Sequence, residues 1–173
     1  MRSRLVFLGV AAIMISAPAV AKSYLTIEQA QAEIFPRESF KQDLRTLSDA
    51  EAKLVAARTG QVVENRVVRA WRTSGGGWFI VDDVIGKHDN ITYALGLNAD
   101  GSVRGLEVLD YRESYGFEVR NPAWLAQFKT ITRGVDPKFG REIKNISGAT
   151  LSSRHLTDGV RRLLAVFAVA LHG

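Results

Sequence analysis

Residues 91–109 read ITYALGLNADGSVRGLEVL, and this stretch decides the fold. Ile91 to Leu97 is a strand opened by β-branched and aromatic residues, and Val103 to Leu109 is a second, with Val103, Leu106 and Val108 apolar. Asn98-Ala99-Asp100-Gly101 between them is a hairpin turn, with Gly101 free to take positive φ. Strands joined by so short a loop pair antiparallel. Working outward, Trp78 to Ile85 reads as a strand, as do the residues around Val67, Val68 and Trp71, with the flexible Ser74-Gly75-Gly76-Gly77 between the two. Helices flank the strands. Thr26 caps a short helix from Ile27 to Ile34 that Pro36 ends. Ser48 and Glu51 form a capping box for a helix from Asp49 to about Arg58, stopped by Gly60. Asn121-Pro122 opens a short helix bearing Trp124, Leu125 and Phe128. From near Thr150, the residues Leu156, Val160, Leu163, Leu164, Phe167 and Leu171 fall at helical spacing on one buried face. The expected fold is therefore α+β: an antiparallel sheet of hairpin strands packed by N-terminal helices and a long C-terminal helix.

Composition limits what this fold can do. The chain has 173 residues, 46% apolar and 24% charged, which is ordinary for a globular protein. It has no cysteine, which excludes disulfides, zinc–cysteine and iron–sulfur sites, thiol catalysis and an N-terminal lipidated cysteine. Three histidines leave little room for an all-histidine metal site, and neither metal ligands nor catalytic residues are assigned. Arg2 and Arg4, the apolar run from Leu5 to Ile15 and Ala19-Val20-Ala21 have the three parts of a secretory signal, with the cut expected after Ala21. Residues 1–21 are thus read as a signal peptide, 22–64 as an N-terminal helical segment and 65–173 as the main domain. The expected address is the periplasm. Removing Arg2 and Arg4 leaves 21 basic against 18 acidic residues, too mild and too evenly spread to argue for nucleic acid.

One segment carries chemistry. Ser147-Gly148-Ala149-Thr150-Leu151-Ser152-Ser153 places four hydroxyls where a loop enters the last helix. A helix N-terminus has unpaired backbone N–H groups and about half a positive charge. It suits a phosphate, and a glycine there lets the backbone approach closely. On this chemistry alone the commoner role is an ordinary N-cap, with Thr150 or Ser147 terminating the helix. His88-Asp89-Asn90 reads as a turn without metal-ligand spacing, and Asp82-Asp83 as a solvated acidic pair. No serine sits in a nucleophile elbow.

The segment Ile146 to Ser153 closely resembles the S-G-A-T-x-[ST] signature of the FMN-binding domain family. That family includes the flavoprotein subunits of the sodium-translocating NADH:quinone reductase and of the Rnf electron-transport complex. Ile91 to Leu97 with Asp100-Gly101 and Val108-Leu109 is similar to the family hairpin, Glu113-Ser114-Tyr115-Gly116-Phe117 to its E-T-P-G-L loop, and Trp124 with Phe128 to its W…F pair. Lys144 stands where the family often has an acidic residue, and Ser114-Tyr115 replaces its Thr-Pro. The resemblance implies FMN joined through its phosphate to Thr150, installed after export by a flavin transferase that uses FAD. It implies an electron carrier working between a membrane redox partner and an acceptor. Ser147, Gly148, Ala149, Leu151, Ser152 and Ser153 would surround the cofactor phosphate. Glu113 would hydrogen-bond the phosphate-side loop or flavin hydroxyls, with a simple turn role as its alternative; Gly116 of the same loop would also lie at the cofactor, and Tyr115, Phe117 and Trp124 are candidates to pack on the ring system. Arg154 could offset phosphate charge and His155 contact the flavin. A flavin-dependent reductase acting directly on a small molecule, and a non-redox binding module with the same fold, are the alternatives.

Overall fold

In a computed structural model of the chain, residues 24–113 and 115–172 are described; the signal peptide expected over 1–21 lies outside them. The first helix, α1 (Ile27–Ile34), begins with a reciprocal cap. Thr26 Oγ1 accepts from the Gln29 N–H at 3.2 Å, and Gln29 Oε1 accepts from the Thr26 N–H at 2.8 Å. The second, α2 (Asp49–Thr59), has the Ser48/Glu51 box and ends at Gly60, whose φ of +75° is the left-handed conformation expected of a terminating glycine.

Between and after them run six strands: β1 (Phe40–Gln42), β2 (Arg45–Thr46), β3 (Val67–Thr73), β4 (Trp78–Ile85), β5 (Asn90–Leu97) and β6 (Val103–Tyr111). All pair antiparallel in the order β1-β3-β4-β5-β6, with β2 also on β3. The α+β expectation holds. The segment expected to be helical, 22–64, also supplies β1 and β2. These are three and two residues long and mostly exposed, so no apolar alternation announces them; pairing with β3 makes them strands.

Side chains alternate across the sheet, and both faces are covered. On β4, Trp78, Ile80 and Val84 face a core shared with α2 and α4 (Thr150–Val166), while Phe79 and Val81 face a second core under α1. The last helix lies close to the sheet at Gly159, where a Cβ would meet Tyr93 Oη at 2.5 Å and Val84 Cγ1 at 2.7 Å. It is also tied by charge. Asp82 Oδ2 accepts from Arg162 Nη2 at 2.7 Å and from the buried Tyr93 hydroxyl at 3.1 Å. Burial, with Asp82 beside it, pushes the Tyr93 phenol up. Asp82 is thus a fastening between sheet and helix, whereas the sequence reads it as a solvated acid. The short helix α3 (Pro122–Leu125) stops earlier than expected and tightens into a 3₁₀ turn, Ala126–Thr130, which carries Phe128. After α4 the chain widens into a π-helical turn, Phe167–Leu171. Among the described residues, no helix is long and apolar enough to cross a membrane.

Candidate functional site

Thr150 is the first residue of α4, and the cap position before it is Ala149, whose methyl group cannot accept a hydrogen bond. The ordinary-cap reading therefore fails. The first intrahelical N–H is that of Ser153, bonded to the Ala149 carbonyl at 2.9 Å. The N–H groups of Thr150, Leu151 and Ser152 precede it, and no side chain caps them. Thr150 is exposed, and its hydroxyl has no hydrogen-bond partner among the described residues. An exposed, uncommitted alcohol beside bare helix N–H groups is the arrangement a phosphoester needs.

That alcohol opens onto a cavity of about 630 Å³, within the range of cofactor pockets. One wall is Gly148, Ala149, Thr150, Leu151 and Ser152. Gly148 has φ +85°, and a Cβ placed on it would meet nothing within 4 Å. The glycine is needed for the turn, and the space beside it is open to a ligand. The remaining walls are Glu113 with Tyr115 and the turn Lys87-His88-Asp89. Tyr115 is 83% exposed and Leu151 46%, so both present apolar surface at the mouth.

Two buried contacts hold these walls together. Gly116, at φ +85°, packs so closely that a Cβ would meet Tyr111 Oη at 2.6 Å and Ala149 Cβ at 3.1 Å. Tyr111 donates to the Tyr115 carbonyl at 2.5 Å, and its oxygen lies 3.3 Å from Ser152 Oγ. Glu113 fastens the third wall: its Oε1 accepts from the backbone N–H of His88 at 2.6 Å and of Asp89 at 3.1 Å. Partial burial raises the Glu113 carboxyl, but these backbone bonds outweigh it and leave the group below its ordinary value.

The other sequence candidates lie elsewhere. Trp124 does not line the cavity. Its ring is buried edge-on against Phe128, with centroids 5.2 Å apart, and its Nε1 donates to the Lys144 carbonyl at 2.8 Å, pinning the strand of chain that leads to the signature. Ser153 is fully buried, and its hydroxyl donates to the Ala149 carbonyl at 2.8 Å. Ser147 is exposed in the approach turn and Gly116 is buried behind the wall; neither lines the cavity. Phe117 is 60% exposed and also outside it. Arg154 stacks over the Phe139 ring at 4.9 Å, and His155 Nδ1 donates to the Ile85 carbonyl at 2.5 Å, so both are engaged away from the cavity.

Lys87, His88, Asp89 and Tyr111 are the residues that sequence reasoning missed. The turn has no motif of its own; Glu113 brings it to the site from 24 residues away. Tyr111 is hidden by a bulge. Tyr93 pairs with Val108 while Thr92 pairs with Asp110, so Leu109 is an extra residue and Tyr111 returns to the face of Val108 out of step with simple alternation.

No match is found among curated proteins. Residues 86–165, the stretch that runs from the anchored turn through most of α4, match the family model described as FMN-binding domain, which supports an FMN-binding domain over that stretch.

Proposed function

We propose that the protein is an exported electron carrier whose FMN is esterified through its phosphate to Thr150. The observation that carries this reading is the Thr150 hydroxyl: exposed, without a partner among the described residues, and opening onto the cavity at an uncapped helix start. Gly148 leaves room on the same side. The helix N–H groups offset phosphate charge, while Leu151 and Tyr115 offer apolar surface to a flat ring system. The flavin supplies the redox chemistry, and the protein supplies position and shielding. Attachment forms a bond from Thr150 Oγ1 to the FMN phosphorus of FAD and breaks the pyrophosphate bond. AMP leaves, and the hydroxyl proton goes to solvent or to a base of the transferase. A covalent link keeps a small cofactor from diffusing away from a periplasmic protein. Electrons would pass between a membrane redox partner and an acceptor; the sequence shows no separate nicotinamide site that would favour an autonomous reductase.

The test is mass spectrometry of the mature chain co-expressed with a flavin transferase. The peptide containing Thr150 gains the mass of one FMN less one water, and Thr150→Val abolishes both the added mass and the yellow colour. Colour that persists in Thr150→Val points to non-covalent flavin. A colourless wild-type protein under the same conditions supports the non-redox alternative.

A further inference from the structure

The geometry points to a second binding site, at the opposite end of α4, for a small carboxylate that carries an apolar body. A pocket of about 510 Å³ lies between the end of α2, the loop at 133–136 and the π-helical turn. Its apolar wall is built by Leu164, Ala165 and Phe167. The π-helical turn is closed by the His172 N–H on the Phe167 carbonyl at 2.8 Å, and it sets the two rings 5.4 Å apart and 33° from parallel along the wall. Such turns recur at functional sites because they widen a helix locally.

The charge at the pocket is unspent. Arg58 is exposed and makes no ion pair or hydrogen bond among the described residues. Arg133 Nη2 lies 2.9 Å from His172 Nε2, so its contact is with an imidazole nitrogen and not with a carboxylate. The acids here are already paired. Asp136 lines the pocket together with Arg161, which holds it at 2.5 Å, and it is also bound by Lys138, so this carboxylate is neutralised within the wall. Asp100, whose carboxyl is lowered chiefly by Ser102 and only slightly by Arg133, accepts from the Ser102 hydroxyl at 2.6 Å. Two guanidinium groups without carboxylate partners thus flank an apolar wall. A guanidinium fork matches a carboxylate in two parallel hydrogen bonds, and the wall takes the apolar remainder. Thr150 and Phe167 are 17 residue steps apart, about 25 Å along the helix, so this ligand is not a reaction partner at the Thr150 cavity.

Titration of the mature protein with benzoate, benzyl alcohol and acetate, followed by NMR at Phe167 and His172, decides the matter. Benzoate saturates with a dissociation constant below about 1 mM, whereas benzyl alcohol lacks the charge, acetate lacks the body, and both bind far more weakly. The double variant Arg58→Ala/Arg133→Ala lowers benzoate affinity at least about tenfold with an unchanged circular dichroism spectrum, since both side chains are exposed. Benzyl alcohol or acetate binding as tightly as benzoate, no saturation, or a double variant that binds like wild type would each overturn the assignment. None of these readouts depends on flavin attachment, so the two proposals fail separately.

Discussion

Glu113 shows how one side chain can organise the walls of the cavity that Thr150 lines. Its carboxylate takes two backbone N–H bonds from the turn at 88–89, and a Cβ at Gly86 would lie 2.6 Å from the same oxygen, so the turn is folded closely around it. Burial raises its pKa, the backbone bonds lower it, and the net position is below the ordinary carboxylate value of 4.5. A carboxyl whose folded pKa is depressed contributes stability that is complete above 4.5 and is lost as pH falls through the folded value. The turn should therefore loosen in acid before the rest of the domain. Hydrogen exchange at the His88 and Asp89 amides, corrected for intrinsic rates, should lose protection below about pH 4.5. In Glu113→Gln, an acceptor oxygen remains but the charge is gone. Protection there should be lower by about 1–2 kcal/mol and independent of pH over that range. Protection in the wild type that stays constant between pH 5 and 3 would show that the carboxylate does not hold the turn.

At the scale of elements, the position of Thr150 depends on how closely α4 lies on the sheet. At Gly159 the helix lies directly against Tyr93 and Val84. Alanine in place of glycine favours an isolated helix by about 1 kcal/mol, but overpacking a close contact costs about 1–3 kcal/mol. The half-buried Tyr93–Asp82–Arg162 contacts leave the neighbouring side chains little freedom to yield. Gly159→Ala should destabilise by about 1–2 kcal/mol on balance, lowering the urea midpoint. An unchanged or raised midpoint would mean that the helix shifts without cost. Much of this element layer is legible in the sequence, because caps, hairpin turns and helical periodicity are local: Ser48 with Glu51, Asp100-Gly101 and the Leu156–Leu163 face all fall where local rules put them. Neither β1 nor β2 is legible, since strands of two or three exposed residues owe their state to β3. In the site, the signature segment could be read directly. The turn at Lys87–Asp89, the place of Tyr111 beyond a bulge and the burial of Trp124 depend on partners distant in sequence, and no local pattern records them.

For the whole molecule, the stretch that matches the family begins at residue 86, after β4, yet the sheet that supports the site is centred on β4 and β5 and is covered on its far side by α1. Ile34 and Phe35 press onto Gly96, where a Cβ would meet Ile34 Cγ2 and Phe35 Cε2, the latter at 2.8 Å. Both are buried, at 7% and 1% exposure. Burying two such side chains contributes about 3–6 kcal/mol, comparable with the total stability of a domain this size, about 5–15 kcal/mol. Removing the N-terminal segment also uncovers Phe79, Val81, Ala94 and Leu109 together, an apolar patch that a soluble monomer rarely exposes. It also leaves β3 as a bare edge, since β1 and β2 are its partners. The chain from residue 24 onward should therefore unfold in one transition, with coincident curves by far-ultraviolet circular dichroism and tryptophan fluorescence. A fragment of residues 65–173 should aggregate or remain unfolded, and should not be flavinylated even though it carries Thr150. Cooperative unfolding of that fragment, with native-like dispersion in its NMR spectrum, would show that the flavin-site half is an independent domain and that α1 and the two short strands are accessories to it.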